Sequence, residues 1–100
     1  MNERDGVVDT AIKPQVGMGV TQRSLSGARP YTIIRVQSHW QIVVQRDRAI
    51  QMSGTEYNFA RNPFGDVIHL TRRADGIWRV VGEQGGSEYT LGERAMYNEP

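Results

Sequence analysis

Residues 66–82, DVIHLTRRADGIWRVVG, constrain the fold more than any other stretch. Two apolar alternations flank Asp75-Gly76, a pair that favours a tight hairpin turn. A two-residue loop would set Leu70 opposite Val81 and Arg73 opposite Trp78. Trp78 and Val80 would then face away from Ile68 and Leu70. A three-residue loop, 74–76, sets Arg72 opposite Trp78 and Leu70 opposite Val80. Ile68, Leu70, Trp78 and Val80 then share one face, with His69, Thr71, Arg73, Ile77 and Arg79 on the other. A slip of one residue exchanges the faces completely, so apolar clustering selects the three-residue loop. Gly76 is expected in the left-handed conformation that such loops need. Arg72 is expected at the rim, over Trp78, and Ile77 and Val81 are expected exposed.

The rest of the chain carries the same signals. YTIIRV (31–36) is rich in β-branched residues, and Pro30 suits a strand start, where a missing N–H matters least. WQIVVQRD (40–47) alternates, with Trp40, Ile42 and Val44 on one face and Gln41, Val43 and Gln45 on the other. The gap between these runs, 37–39, has hairpin length. RNPFGDV reads as a turn with Asn62 first, Pro63 second and Gly65 fourth. No stretch of ten or more residues keeps a helical period free of Gly and Pro, and one helical turn near GERAMY (92–97) is the most helix expected. Short strands with turns every ~8–12 residues point to an all-β fold. The expected architecture is a small, strongly bent antiparallel β-barrel, with an SH3-like roll first and an oligonucleotide-binding-type barrel second. Residues 16–100 form its single domain. Residues 1–15, with one apolar pair at Val7-Val8, form a flexible arm or a short edge strand.

Gly17 and Gly19 in VGMGVT raise the question of a phosphate-cradling loop. Such a loop needs a helix behind its glycines. The following VTQRSLSGARP meets Gly27 and Pro30 and sustains none. These glycines are therefore expected to permit a sharp bend or a close approach of backbone.

Composition removes further chemistries. The chain has no Cys, so disulfides, thiolate metal sites and cysteine nucleophiles are absent. His39 and His69 lack metal-ligand spacing, and no nucleophile elbow appears. No catalytic, cofactor or metal residue is assigned. Apolar runs are far shorter than the ~20 residues of a membrane span, and the charged MNERDGVVD start is unlike a signal peptide. A cytoplasmic location is expected.

Of the 12 basic residues only Lys13 is lysine, and 11 acidic residues leave a net charge of +1. Arg23, Arg29, His69, Arg73 and Arg79, with Tyr31 and Trp40 as stacking rings, make a candidate binding surface for phosphate and bases. The near balance of charge favours a solvated polar face instead.

The order of VGMGVT, ARPYTIIRV, VVQRDRA, YNFARNPFG, HLTRRADGIWR and LGERAMYNEP resembles small uncharacterised proteins encoded by phages, plasmids and other mobile elements. It covers most of residues 16–98 and departs in a shorter segment before Tyr57 and in its NEP ending. The resemblance implies a compact β fold and a mobile-element origin, and it carries over no catalytic residue. The functional expectation is a non-enzymatic binding or self-assembling module. Its partner is a protein, including a second copy of the chain, paired through the sparsely charged edge of YTIIRV. Nucleic acid is the alternative partner, a small enzyme using His39 or His69 the third reading, and no membrane partner is expected.

Overall fold

The structure is a computed structural model that describes residues 12–54, 56–83 and 86–98. Its strands are β1 (Gly19–Ser24), β2 (Gly27–Ser38), β3 (Gln41–Arg46), β4 (Arg48–Ser53), β5 (Glu56–Ala60), β6 (Val67–Arg72), β7 (Trp78–Val80), β8 (Glu88–Leu91) and β9 (Tyr97–Asn98). Every ladder is antiparallel. Six strands close a barrel in the order β1-β2-β3-β6-β7-β8 and back to β1. This is an up-and-down meander, interrupted once, where β4 and β5 form a separate two-stranded hairpin. The short β9 pairs with the start of β2 at Ala28 and Gly27. The described residues contain no helix, and the segment 92–96 is irregular where a helical turn was expected.

The hairpin of β6 and β7 has the expected register, with Leu70 opposite Val80 and Arg72 opposite Trp78. The Arg73 amide donates to the Ile77 carbonyl at 2.9 Å, and Gly76, at φ +85°, donates to Arg73 at 2.8 Å. The Asp75 carboxylate accepts from the Ile77 amide at 2.9 Å. Trp78 is 6% exposed and packs in one core with Val20, Tyr31, Ile33, Ile42, Val44, Leu70, Tyr89 and Leu91. Ile68 and Val80 border that core. Arg72 departs from expectation. Its guanidinium lies 5.2 Å from the centre of the Trp40 ring rather than over Trp78. Ile77 is half-buried, not exposed, while Val81 is exposed.

β2 is twice the length foreseen for it. It begins at Gly27, with Pro30 buried inside it opposite Thr21. The strand tolerates proline there because the Pro30 carbonyl, on the side where an N–H would point, accepts from the Asp47 amide just beyond the β2–β3 ladder. Ile34 and Gln37 are extra residues on β2 relative to β3. Such bulges bend a strand and deepen its twist, which lets one strand serve both halves of a tight barrel. Ser38 pairs with Gln41, so the connecting turn is His39-Trp40. Trp40 therefore leaves the inner face expected for it and stands 55% exposed.

Two irregular segments press on the outer face. In the first, Gly65 donates to the Asn62 carbonyl at 2.9 Å and the Asn62 side chain accepts from the Phe64 amide at 3.1 Å, the expected turn. Buried Gln45 donates its amide to the Pro63 and Gly65 carbonyls, both at 3.1 Å. In the second, the Gly92 amide donates to the Gly19 carbonyl at 2.8 Å, and Thr21 donates its hydroxyl to the Glu93 carbonyl at 2.7 Å. A Cβ on Gly19 would stand 2.7 Å from the Arg94 Cγ. Gly19 thus serves a close approach, and Gly17, at φ +92°, serves a bend. Arg94 continues inward to Asp47, with Nε–Oδ2 at 2.9 Å, and donates to the Thr32 hydroxyl at 3.1 Å. Thr32 in turn donates to Asp47 Oδ1 at 2.7 Å.

Of the expected arm, residues 1–11 lie outside the described residues. Ile12 is exposed with its Cδ1 close to Gly92, and Pro14 is buried.

Candidate interaction surface

The strand pairing places the expected binding residues on different surfaces. Tyr31 points inward and is 3% exposed, so it is a core residue and not a stacking platform. Its ring meets Tyr89 edge-on at 5.7 Å between centroids, and the Arg46 guanidinium lies 5.9 Å from its centre. Burial raises the Tyr31 phenol above its ordinary range, partly opposed by Arg46. Burial, with Tyr31 adding to it, pushes the Tyr89 phenol up to about 12. Gln22 donates to the Tyr89 hydroxyl at 3.1 Å. Both phenols are accordingly neutral elements of the barrel's structure.

The arginines are engaged by the protein itself. Arg23 contacts Glu93 at 2.8 Å and Arg79 contacts Glu88 at 3.5 Å. Since Arg23 also stands opposite Glu88 in the β1–β8 ladder, the side chains run Glu93, Arg23, Glu88, Arg79 across the barrel wall, with no net charge. Arg73 donates to the backbone carbonyls of Val80, at 3.2 Å, and Glu83. Arg29 donates to the Ala28 carbonyl at 2.9 Å. His69 is exposed on the outer face opposite buried Val43. Trp40 sits in a turn beneath Arg72. No single positive groove gathers these residues.

A cleft of about 250 Å³ opens at the seam between β7 and β8, where Trp78 and Tyr89 are the only pair among the described residues. Its walls are mainly Ile12, Arg72, Ile77, Trp78 and Leu91. That volume falls below the ~300 Å³ at which small-molecule pockets begin. Among the described residues no group of three or more His, Asp or Glu is placed to hold a metal ion. No helix among them is long and apolar enough to cross a membrane.

The surface that differs from all this is the hairpin of β4 and β5. Its alternation, RAIQMS and EYNFA around Ser53-Gly54, is readable in the sequence, but no core residue anchors it there. The structure pairs Ala49 with Phe59, Ile50 with Asn58 and Gln51 with Tyr57. Gly54 makes the turn at φ +50°, where its carbonyl accepts from the Gln51 side chain (Nε2) at 2.6 Å. None of the described side chains from Arg48 to Ala60 is buried. Ile50 is 45% and Met52 59% exposed. Tyr57 and Phe59, two residues apart, share a face with Ala49 and Gln51. Neither strand packs substantially on any barrel strand. Among the described residues both outer edges are unpaired.

The edge foreseen as a docking site is not free. YTIIRV is paired to β1 through its first two residues and to β3 along most of its length. Closing the barrel consumes that edge, whereas among the described residues the hairpin of β4 and β5 keeps both of its outer edges.

No protein-family model matches the chain, and no curated protein or solved structure resembles it significantly.

Proposed function

We propose that this protein is a non-enzymatic protein-interaction module of mobile-element origin, acting in the cytoplasm, with the hairpin of β4 and β5 as its contact arm. The supporting observation is that thirteen residues leave a closed barrel to form a ribbon with two aromatic rings on one face and no buried described side chain. A two-stranded ribbon is marginal in water, whereas three or more strands with an apolar face are stable. Unpaired strand edges are natural templates for another chain. The mobile-element origin is supported by the order of motifs from VGMGVT to LGERAMYNEP.

Self-association is the form of this reading that is measured most directly. Replacing residues 48–60 by a short Gly-Ser turn removes the arm and leaves the barrel strands intact. Sedimentation equilibrium is expected to show at least a dimer for the full chain at micromolar concentration and a monomer for the replaced one. A full chain that stays monomeric over that range, or a replaced chain that still associates, counts against the reading.

A further inference from the structure

We propose that two copies of the chain join edge to edge through β5, antiparallel about a two-fold axis at Asn58, to make the four-stranded sheet β4-β5-β5′-β4′. The inference rests on the contact-arm reading and specifies its partner and register.

The two outer edges of the hairpin are not equivalent. β4 carries Met52 as an extra residue between the pairs Gln51–Tyr57 and Ser53–Glu56. A bulge kinks and twists an edge and protects it from further pairing. β5 is regular through all five of its residues. The addable edge is therefore that of β5.

Symmetry then selects the register. An axis perpendicular to a sheet carries each face onto itself, and residues opposite one another in a ladder share a face. The axis must therefore pass opposite one residue and not between two. At Tyr57 it would pair Tyr57 with itself and leave Phe59 and Ala60 beyond the strand. At Phe59 it would set Tyr57 opposite Arg61, outside the strand. At Asn58 the whole strand overlaps: Glu56 meets Ala60 of the second copy and Tyr57 meets Phe59, each pair occurring twice. Aromatic cross-strand pairs are among the favourable ones. This register also joins the two ring-bearing faces into one patch of four aromatic side chains. Glu56 faces alanine and not a second glutamate, so no like charges oppose. A five-residue edge is short, and it predicts a micromolar rather than a nanomolar dimer.

The sequence offers a direct test, since it has no cysteine. Asn58→Cys puts the only thiol on the proposed axis, with Cα atoms ~4.5–5.5 Å apart across an antiparallel pair, within disulfide range. Ile50 lies opposite Asn58 on β4, and two copies of Ile50→Cys would be separated by three strand spacings, about 14 Å. Under mild oxidation at micromolar concentration, Asn58→Cys is expected to form a covalent dimer at least tenfold faster than Ile50→Cys. A mixture of Glu56→Cys and Ala60→Cys is expected to give the mixed dimer in preference to either like pair. Tryptophan fluorescence, to which buried Trp78 and exposed Trp40 both contribute, checks that each variant is folded.

A dimer that disappears when residues 48–60 are replaced, yet does not cross-link through Asn58 or through the mixed pair, overturns the β5 register and leaves the contact arm standing. A dimer that survives the replacement overturns both. A chain that is monomeric throughout overturns the homotypic contact.

Discussion

The barrel and the hairpin are built from similar sequence and have opposite fates. Ile42, Val44, Leu70 and Trp78 lie on strands where apolar residues recur at every second position, and so do Ile50, Tyr57 and Phe59. The first set is buried in one core; the second is half-buried or exposed. Period-2 alternation establishes a strand with two unlike faces. It does not say that anything covers the apolar face. Closure into a ring supplies that cover for six strands, and no barrel strand supplies it for β4 and β5. The contrast locates the stability of this protein in the ring and its capacity for contact in the ribbon.

The contrast is sharpest at Trp78. Trp78→Ala is expected to cost ~3–5 kcal/mol, as large-to-small changes in a packed core do. For a domain of this size that approaches the whole stability. Chemical denaturation of the variant measures it, and a midpoint equal to the parent's would show that the ring is not held by this core.

Alkaline pH tests the same core from another side. The Tyr89 phenol titrates at about 12 in the fold against an ordinary 10.0. Folding therefore favours the protonated form. That contribution is complete below pH 10 and is lost as pH rises through 12, on the order of 2 kcal/mol. Ultraviolet absorbance of phenolate should show Tyr89 ionising only as the near-ultraviolet circular dichroism of the core collapses. A phenolate signal that completes near pH 10 with the fold intact would remove the distinction between buried and ordinary tyrosine.

Arg94→Met should cost about 1–2 kcal/mol, between the values of exposed and fully buried ion pairs. Asp47 is buried, but the Arg94 side chain is 31% exposed. Thermal melts of Arg94→Met, Asp47→Asn and the double variant give the coupling. Additive losses would mean that the outer strap contributes nothing through this pair.

The smallest effect belongs to the hairpin. In dilute, monomeric protein Tyr57→Ser should change the melting free energy by no more than about 0.5 kcal/mol, as at other surface positions. The same substitution should weaken association. If it instead lowers barrel stability by several kcal/mol, the ribbon is part of the core and the comparison fails.

What could be read from the sequence follows the same division. The β6–β7 register was legible because apolar residues on both arms had to share one face, which decided the loop length. Tyr31, read as a stacking ring, is buried, while Trp40 stands exposed in the turn rather than on the face of Ile42 and Val44. Two bulges reset the β2 pairing, and a bulge leaves no mark in an alternation. The turn at Asn62 was legible from Pro63 and Gly65, while its pressure on buried Gln45 was not. The contact of Asp47 with Arg94 joins residues far apart in the chain through the missing side chain of Gly19, a relation no local pattern encodes. The hairpin at 48–60 is absent from the sequence reading, which takes YTIIRV as the free strand, because no local pattern says which edges the ring consumes.

The seam between β1 and β8 also governs time. Sixty-seven residues separate Gln22 from Tyr89, which meet across it. Neighbouring hairpins such as β6–β7 can form early because their loops are short. The final ladder must wait until distant segments find each other, and the loop entropy of that search is met before its contacts form. Folding is therefore expected to be slow for a chain of 100 residues. Until that last pairing, β1 and β8 each present an open edge, and crowded nascent chains can pair through them in the wrong partnership. The rate of ring closure thus sets how long a newly made chain is exposed to aggregation, a quantity that stopped-flow refolding at increasing protein concentration would measure.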